Sequence, residues 1–245
     1  MSEGIWSALA GAVGQLTALE VAANNVANAS TPGYRADHVV FREYLGRAAA
    51  ARGRPPPGMR SNAIGAIMTT ATQGNIVQTG RELDVALRGD GYFVVKTPRG
   101  ERYTRLGSFQ VARDGALVTR DGDPVLGSDH KVVRVPREAG GARILADGTV
   151  EWSGGRAGEL LCVSFDRKVV LEKEGSVLLR PSAPASPSPV RMSLEPGALE
   201  QSNMSAVKGM MDIVGASRGF EACERVIDAF RDADRKAAMT IAGRG

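Results

Sequence analysis

Heptad spacing at the start of the chain, and helical spacing again at its end, is the feature that most limits how this sequence can fold. Over residues 5–28, Ile5, Leu9, Ala12, Leu16, Leu19, Ala23 and Val26 recur at intervals of 4, 3, 4, 3, 4 and 3, which predicts a helix carrying a narrow apolar seam. Ala8, Ala10, Ala18 and Ala22 fill other positions with the strongest helix former. Pro32 has no amide hydrogen and disfavours helical backbone in the residue before it, so the helix should stop near Ser30, Thr31, Pro32 and Gly33. Taken alone, this seam also fits an amphipathic helix packed on its own domain. The far end mirrors the start. From residue 200 to 241 the breakers are few (Gly209, Gly215, Gly219). Val207, Met210, Met211, Ile213 and Val214, then Phe220, Cys223, Val226, Ile227, Phe230, Ala233, Ala237 and Ile241, keep a helical rhythm. A helix of roughly forty residues is too long for a small domain to cover and needs a partner.

Between the ends the period changes to two. Strands are expected at 91–96, 101–106, 108–111, 116–119, 124–126, 132–135, 142–145, 149–152, 159–165 and 176–179. Asp-Gly pairs at 90–91, 114–115, 121–122 and 147–148 supply the tight turns between them. Strands this short describe a small antiparallel β-domain. Two stretches carry no strand or helix signal: the Pro-rich 47–60, and 181–189 (PSAPASPSP), which is expected to be a stiff, extended connector. The predicted fold class is therefore α+β: a discontinuous, coiled-coil-like terminal-helix domain plus a small antiparallel β-domain. The expected segments are a helix and its exit (1–35), an extended arm or linker (36–78), the β-domain (79–180), a Pro-rich connector (181–193), and a long helix pairing with the first (194–245). The abundance of Gly (30 residues) and the 5% share of aromatics fit many turns and a thin core.

The net charge of +4 does not describe a nucleic-acid binder. Each terminal fifty residues is close to neutral, and the basic cluster Arg47, Arg52, Arg54 and Arg60 has no aromatic neighbours for base stacking. Cys162 and Cys223 are read as two buried thiols rather than a disulfide. Neither they nor His38 and His130 have metal-ligand spacing. Met1 to Gly14 lacks a basic start and an uninterrupted apolar run, so no cleavable signal peptide is expected. No stretch of about 20 apolar residues stands out, so no membrane span is expected.

Catalytic constellations are missing too. There is neither GxGxxG nor GxxxxGK[ST] around Gly89, Asp90 and Gly91, and Asp121 and Asp123 lack the other ligands of a calcium loop. The two histidines have no local Ser-His-Asp or Cys-His signature. No enzyme activity, cofactor, metal or small-molecule substrate is expected.

The run from Asn24, Asn25 and Val26 through Asn28, Ser30, Thr31, Pro32, Gly33, Tyr34 and Arg35 resembles the N-terminal signature of the bacterial flagellar rod and hook proteins. Asn is a poor helix former but a good hydrogen-bond partner at a helix end or between subunits. Residues 79–95 (TGRELDVALRGDGYFVV), 103–109 (YTRLGSF), 115–127 and 197–203 (GALEQSN) are similar to further blocks of the same family. Its proximal-type rod protein is the nearest match, by length and by the lack of a distal-rod stretch after the first motif. A distal-type rod or hook protein is the alternative within the family. An adhesin or binding module with helical oligomerisation tails is the alternative outside it.

The resemblance implies a structural subunit, not an enzyme, which assembles helically through its terminal helices and transmits torque from motor to hook. It implies export by the flagellar type III apparatus to the periplasmic rod of the basal body, without a cleavable signal. The implied partners are copies of itself and other rod proteins. The residues expected at assembly interfaces are Ile5, Leu9, Leu16, Leu19, Asn24, Asn25, Asn28, Thr31, Pro32, Gly33 and Tyr34 at the start. At the end they are Leu199, Glu200, Ser202, Asn203, Val207, Met211, Val214, Phe220, Val226, Ile227 and Phe230.

Overall fold

The computed structural model describes residues 2–45, 60–136, 141–166 and 168–242. Most of the Pro-rich stretch 47–60 lies outside the described residues. Among the described residues the fold is an α+β mix of two helices and several small sheets. It forms two compact units, one of Met1–Ala27, Asp37–Met68 and Ser205–Gly245, the other of Asn28–Ala36 and Thr69–Met204.

The first unit holds α1 (Ser2–Ala27), α2 (Ala206–Ala242) and a two-stranded sheet of β1 (Asp37–Leu45) with β2 (Arg60–Thr69). Within 36–78, the stretch expected as an arm, β1 and β2 thus form a ribbon. The helices run antiparallel and approach closely because α1 presents small residues to α2. A Cβ on Gly4 would sit 2.5 Å from the Phe230 ring, and one on Gly11 would sit 3.3 Å from Cys223 Sγ. One on Gly219 would sit 2.7 Å from Gln15 Cδ. The same spacing continues through Ala18, Ala22 and Asn25, which share a cleft of about 350 Å³ with Met211, Asp212, Gly215 and Ala216. Asn25 is buried and joins α1 to β1 through both ends of its amide. Its Nδ2 donates to the Asp37 carbonyl at 2.7 Å, and its Oδ1 accepts from the Asp37 amide at 2.9 Å.

One expectation is corrected here. Gly4–Ala27 is long and apolar enough to cross a membrane by length and composition, with a mean hydropathy of 1.3. The cause is that Ala, Gly, Val and Leu lie all round the helix, with Glu3 and Glu20 its only charges. A helix apolar on every side needs partners on every side, and only 17% of that window is buried within the chain.

The second unit opens with β3 (Ile76–Gln78), β4 (Val85–Leu87), β5 (Tyr92–Thr97), β6 (Gly100–Thr104), β7 (Gln110–Val111) and β8 (Leu117–Val118). Next come β9 (Ala142–Ile144), β10 (Thr149–Trp152), β11 (Gly155–Glu159), β12 (Cys162–Ser164), β13 (Leu171–Glu174) and β14 (Leu178–Pro181). It closes with β15 (Ser188–Pro189), β16 (Leu194–Pro196) and β17 (Ala198–Glu200). Its centre is a six-stranded sheet in the order β13-β14-β6-β5-β12-β15. β5 is buried on both faces, which explains its unbroken apolar run. Phe93 and Val95 join Val85, Leu87, Phe109, Leu117 and Val150 in one core cluster. Val94 joins Tyr103, Leu161, Val163 and Leu179 in the other. Phe93 and Phe109 meet edge to face at 5.3 Å, an arrangement favoured by the ring quadrupoles.

Two sequence expectations change at the C-terminal side. The Pro-rich 181–189 does not run free: Ser188 and Pro189 pair with Ser164 and Val163 as the edge strand β15, a place where proline's missing donor is tolerated. The last helix begins at Ala206 rather than near residue 200. Leu199 and Glu200 instead pair in β17 with Val77 and Ile76 of β3, after a turn at Gly197 with φ of 67°. Cys162 is buried, and burial pushes its thiol up to about 12. Cys223 is half-buried and also free.

Glu174 of β13 reaches over β14 to Arg102 of β6 at 2.6 Å and also meets Arg99 at 2.5 Å. The Arg102 hydrogen bond holds its carboxyl below the ordinary value of 4.5. A carboxyl depressed in the folded state contributes stability above its unfolded value and loses it as pH falls through the folded one. Glu174→Gln should therefore flatten the acid limb of stability below about pH 4.5, measured by urea unfolding across pH. An unchanged acid limb would show that this pair carries no pH dependence.

Candidate functional site

Four sequence-distant segments of the second unit meet at one buried carboxylate. Glu200, 2% exposed, lies between Arg35 (3%) and Arg105 (2%). Arg35 Nη2 is 3.0 Å from Glu200 Oε1, and Arg105 Nη1 is 3.2 Å from Oε2. The Gly74 amide donates to Oε1 at 3.1 Å, and Gln73 Nε2 donates to Oε2 at 3.4 Å. Two guanidinium groups face one carboxylate, so carbonyls share the remaining positive charge. Arg35 donates to the carbonyls of Ala71 and Thr72, and Arg105 donates to that of Gly89 at 2.6 Å. Arg105 also lies 5.2 Å from the centre of the Tyr92 ring, in cation–π range. Burial lowers the Arg105 pKa, and Glu200 opposes that shift.

The Thr31–Pro32–Gly33 exit is built for this node. Thr31 N donates back to the Asn28 carbonyl at 3.0 Å, and Gly33 N donates to the Glu200 carbonyl at 2.7 Å. Gly33 has φ of 72°, and a Cβ there would lie 2.5 Å from the Leu106 amide nitrogen. Only glycine fits, on both conformation and space. Tyr34 is buried, with Lys173 Nζ 3.7 Å from its ring centre. Asn203 completes the clasp. Its Oδ1 accepts from the Ala36 amide at 2.7 Å, and its Nδ2 donates to the Thr72 carbonyl at 3.0 Å. Ser202 Oγ accepts from Met204 N at 3.2 Å. The segment that leaves α1 and the one that leads into α2 are thus held side by side.

The sequence-expected residues divide into three sets. Asn28, Thr31, Gly33, Tyr34, Leu199, Glu200, Ser202 and Asn203 are brought together with Pro32 around the clasp, whereas Asn25 latches α1 to β1 and Asn24 is exposed. Phe220, Ile227 and Phe230 are half-buried on the α1 side of α2, and Ile5 and Leu19 are half-buried on α1. Leu9 (43%), Leu16 (45%), Val207 (71%), Met211 (71%), Val214 (51%) and Val226 (45%) are exposed.

Sequence reasoning missed Arg35 and Arg105 as the counter-charges of Glu200. It also missed Trp6 (67%) and Val13 (50%), which complete the outward face of Leu9 and Leu16. The signal for that face was present: 6, 9, 13 and 16 share the 3-4-3 rhythm. Among the described residues, no group of His, Cys, Asp and Glu could hold a metal ion.

These are the segments that known families share. Residues 7–35 match the family described as flagella basal body rod protein. Residues 86–152 match the flagellar hook protein FlgE/F/G D1 domain, and 195–240 match the flagellar basal body rod FlgEFG protein C-terminal region. The chain is 32% identical to the flagellar basal-body rod protein FlgG of Bacillus subtilis, over 93% of this chain and 94% of that one. It is 33% identical to FlgF of Escherichia coli, over 95% of each, and 30% identical to FlgF of Caulobacter vibrioides, over 91% of each. The chain belongs to the flagellar basal-body rod protein family.

Glu200→Ala leaves two buried guanidinium groups facing no carboxylate and should cost about 3–5 kcal/mol. Glu200→Gln, which keeps the shape, should recover only part of it. Urea unfolding of both variants checks this, and a loss under about 1 kcal/mol for Glu200→Ala would remove the triad from its structural role. Gly33→Ala should also destabilise, by about 1–3 kcal/mol from backbone strain before the clash with Leu106 is counted, read as a shift in the same urea midpoint.

Proposed function

We propose that this chain is a structural subunit of the bacterial flagellar basal-body rod, of the proximal type, that assembles helically and transmits torque from motor to hook. Membership of the rod protein family carries the reading, and no enzyme activity belongs to it. The antiparallel helix pair with apolar outer faces supports terminal helices that pack with neighbouring subunits in a coiled-coil-like layer. The length of 245 residues favours the proximal type. Its relatives carry both FlgF and FlgG names. Partners on this reading are copies of the chain and other rod proteins, with delivery to the periplasm by the flagellar type III export apparatus. The clasp around Glu200 fixes where in the β-rich unit the two helix-bearing strands of chain emerge. Gene deletion tests the function: loss of swimming with no hook or filament supports the rod, whereas normal swimming with altered surface attachment supports an adhesin.

Leu16 is 45% exposed on the outer face of α1. Leu16→Asp should abolish rod assembly while leaving the β-rich unit folded, because a buried unpaired carboxylate costs several kcal/mol and a helical lattice repeats the penalty at every subunit. Gln15 is unsuitable as the control, since it packs against Gly219. Ser7→Asp is exposed and off the leucine face, and it should be tolerated. Swimming and rod yield, with export of both variants verified, check the pair. Normal rods with Leu16→Asp would remove this face from the interface.

A further inference from the structure

We infer that residues 194–203 are the keystone of the β-rich unit: nothing before them closes it, so the unit stays open until that stretch of chain is free to dock. The stretch supplies the missing half of two sheets. In one, β16 pairs with β4, Leu194 opposite Leu87 and Pro196 opposite Val85. In the other, β17 pairs with β3, Ala198 opposite Gln78 and Glu200 opposite Ile76. Each sheet is two-stranded, so β3 and β4 have no second strand to pair with. Leu194 is buried in the same cluster as Val85, Leu87, Phe93 and Val95. The core that receives one face of β5 is therefore incomplete without it.

Charge makes the same demand. Among the described residues, Glu200 is the carboxylate that pairs with both Arg35 and Arg105. Before it arrives, two guanidinium groups that end almost wholly buried have no counter-ion, and burying them unpaired is costly. Main-chain hydrogen bonds wait for the same stretch. The Gly33 amide donates to the Glu200 carbonyl, and those of Thr79 and Gly80 donate to the Gly197 carbonyl. In return the Gly197 amide donates to the Asp84 carbonyl, and the Gln201 amide to that of Asn75. All these partners are distant in sequence. Asn203 is 167 positions from Ala36, and Glu200 is 126 from Gly74 and 95 from Arg105.

The central sheet is ready sooner. Its six strands all lie between Tyr92 and Pro189, and β5–β6 and β13–β14 are local hairpins. Local pairs form fast, whereas distant pairings must first overcome loop-closure entropy. A chain that emerges N-terminus first therefore has its hairpins early. It has neither a closed core nor neutralised arginines until residue 203 is out. α2 begins only at Ala206, so closure does not wait for it. The timing follows from the topology. Its use, keeping the chain open enough to thread through an export apparatus, rests on the rod reading.

Pulse proteolysis of ribosome-bound chains tests this. Ribosomes translating the natural coding sequence are stalled at successive codons, so that the tunnel hides a chosen stretch of the chain. With residues through 189 outside and 194–203 hidden, thermolysin should cut the β-rich unit as fast as it cuts the urea-unfolded protein. With residue 203 outside and α2 still hidden, that unit should resist cleavage as it does in the released full chain. Protection that appears already with 189 outside, or that waits until α2 has emerged, would overturn the inference. In chains stalled with 203 outside, Glu200→Gln should raise the cleaved fraction severalfold. Arg134→Gln, which removes an exposed ion pair with Asp114, should leave it unchanged. Equal cleaved fractions in these two variants would also overturn the inference. None of these measurements involves a flagellum, so their failure leaves the rod reading to the deletion test. A deletion that swims normally would remove only the use in export.

Discussion

Glu200 is the constraint on which the rest of the β-rich unit depends. Its carboxylate is almost wholly removed from water, and its neutralisation requires Arg35 from the segment that follows α1 and Arg105 from the segment after β6. Buried ion groups seldom add much net stability against a well-packed apolar alternative, because desolvation consumes the attraction. Their value here is selective. A misplaced 33–36 segment would strand a buried carboxylate and two guanidinium groups at once. Register errors near the two chain exits are therefore far more costly than errors in the surface hairpins. Gly33, Gly74 and Gly107 serve the same end, since Cβ atoms there would press into the backbone of Leu106, Gln201 and Val85.

The helix pair follows a different logic. Small residues of α1 face α2, and its large ones face outward. Gly4 and Gly11 bury almost no side-chain area of their own, so the contact gains closeness, with Phe230 and Cys223 filling the space. Glycine inside a helix also costs roughly 1 kcal/mol against alanine. An isolated helix hairpin made this way is weakly held, and most helical stability must come from whatever covers the outer stripes.

Much of this was legible in the sequence, and the boundary is physical. The rhythm of 4 and 3 gave α1 and α2, and the stretch 91–96, with its apolar run 92–95, gave a strand, because such patterns report burial directly. The close contact of α1 with α2 runs one position behind the leucine seam, through Gly4, Gly11 and Gln15. A hydrophobicity count ranks Leu9 and Leu16 above Gly4, Gly11 and Ala18, whereas close packing between helices rewards the smaller residues. The short strands β3, β16 and β17 carry three residues each, too few to show a period. The triad could not be read from spacing at all. Arg35, Arg105 and Glu200 are separated by 70 or more positions, and an arginine in a loop ordinarily reads as solvated surface. Only their place inside the family-like blocks marked them.

The apolar circumference of α1 links the folding and the assembly problems. Each large aliphatic or aromatic side chain on its outer face gains about 1.5–3 kcal/mol when fully covered, and exposed alone it gains nothing. A chain that placed those side chains inward would have a firmer monomer and no driving force to polymerise. By keeping glycine and alanine inside and Trp6, Leu9, Val13 and Leu16 outside, this sequence leaves that free energy unrealised within the chain; on the proposed rod reading it is what contact with another subunit would draw on. The same distribution explains the membrane-like hydropathy of the helix. A bilayer and a bundle of neighbouring helices make similar demands on composition, and the Asn25–Asp37 latch ties the end of α1 to β1.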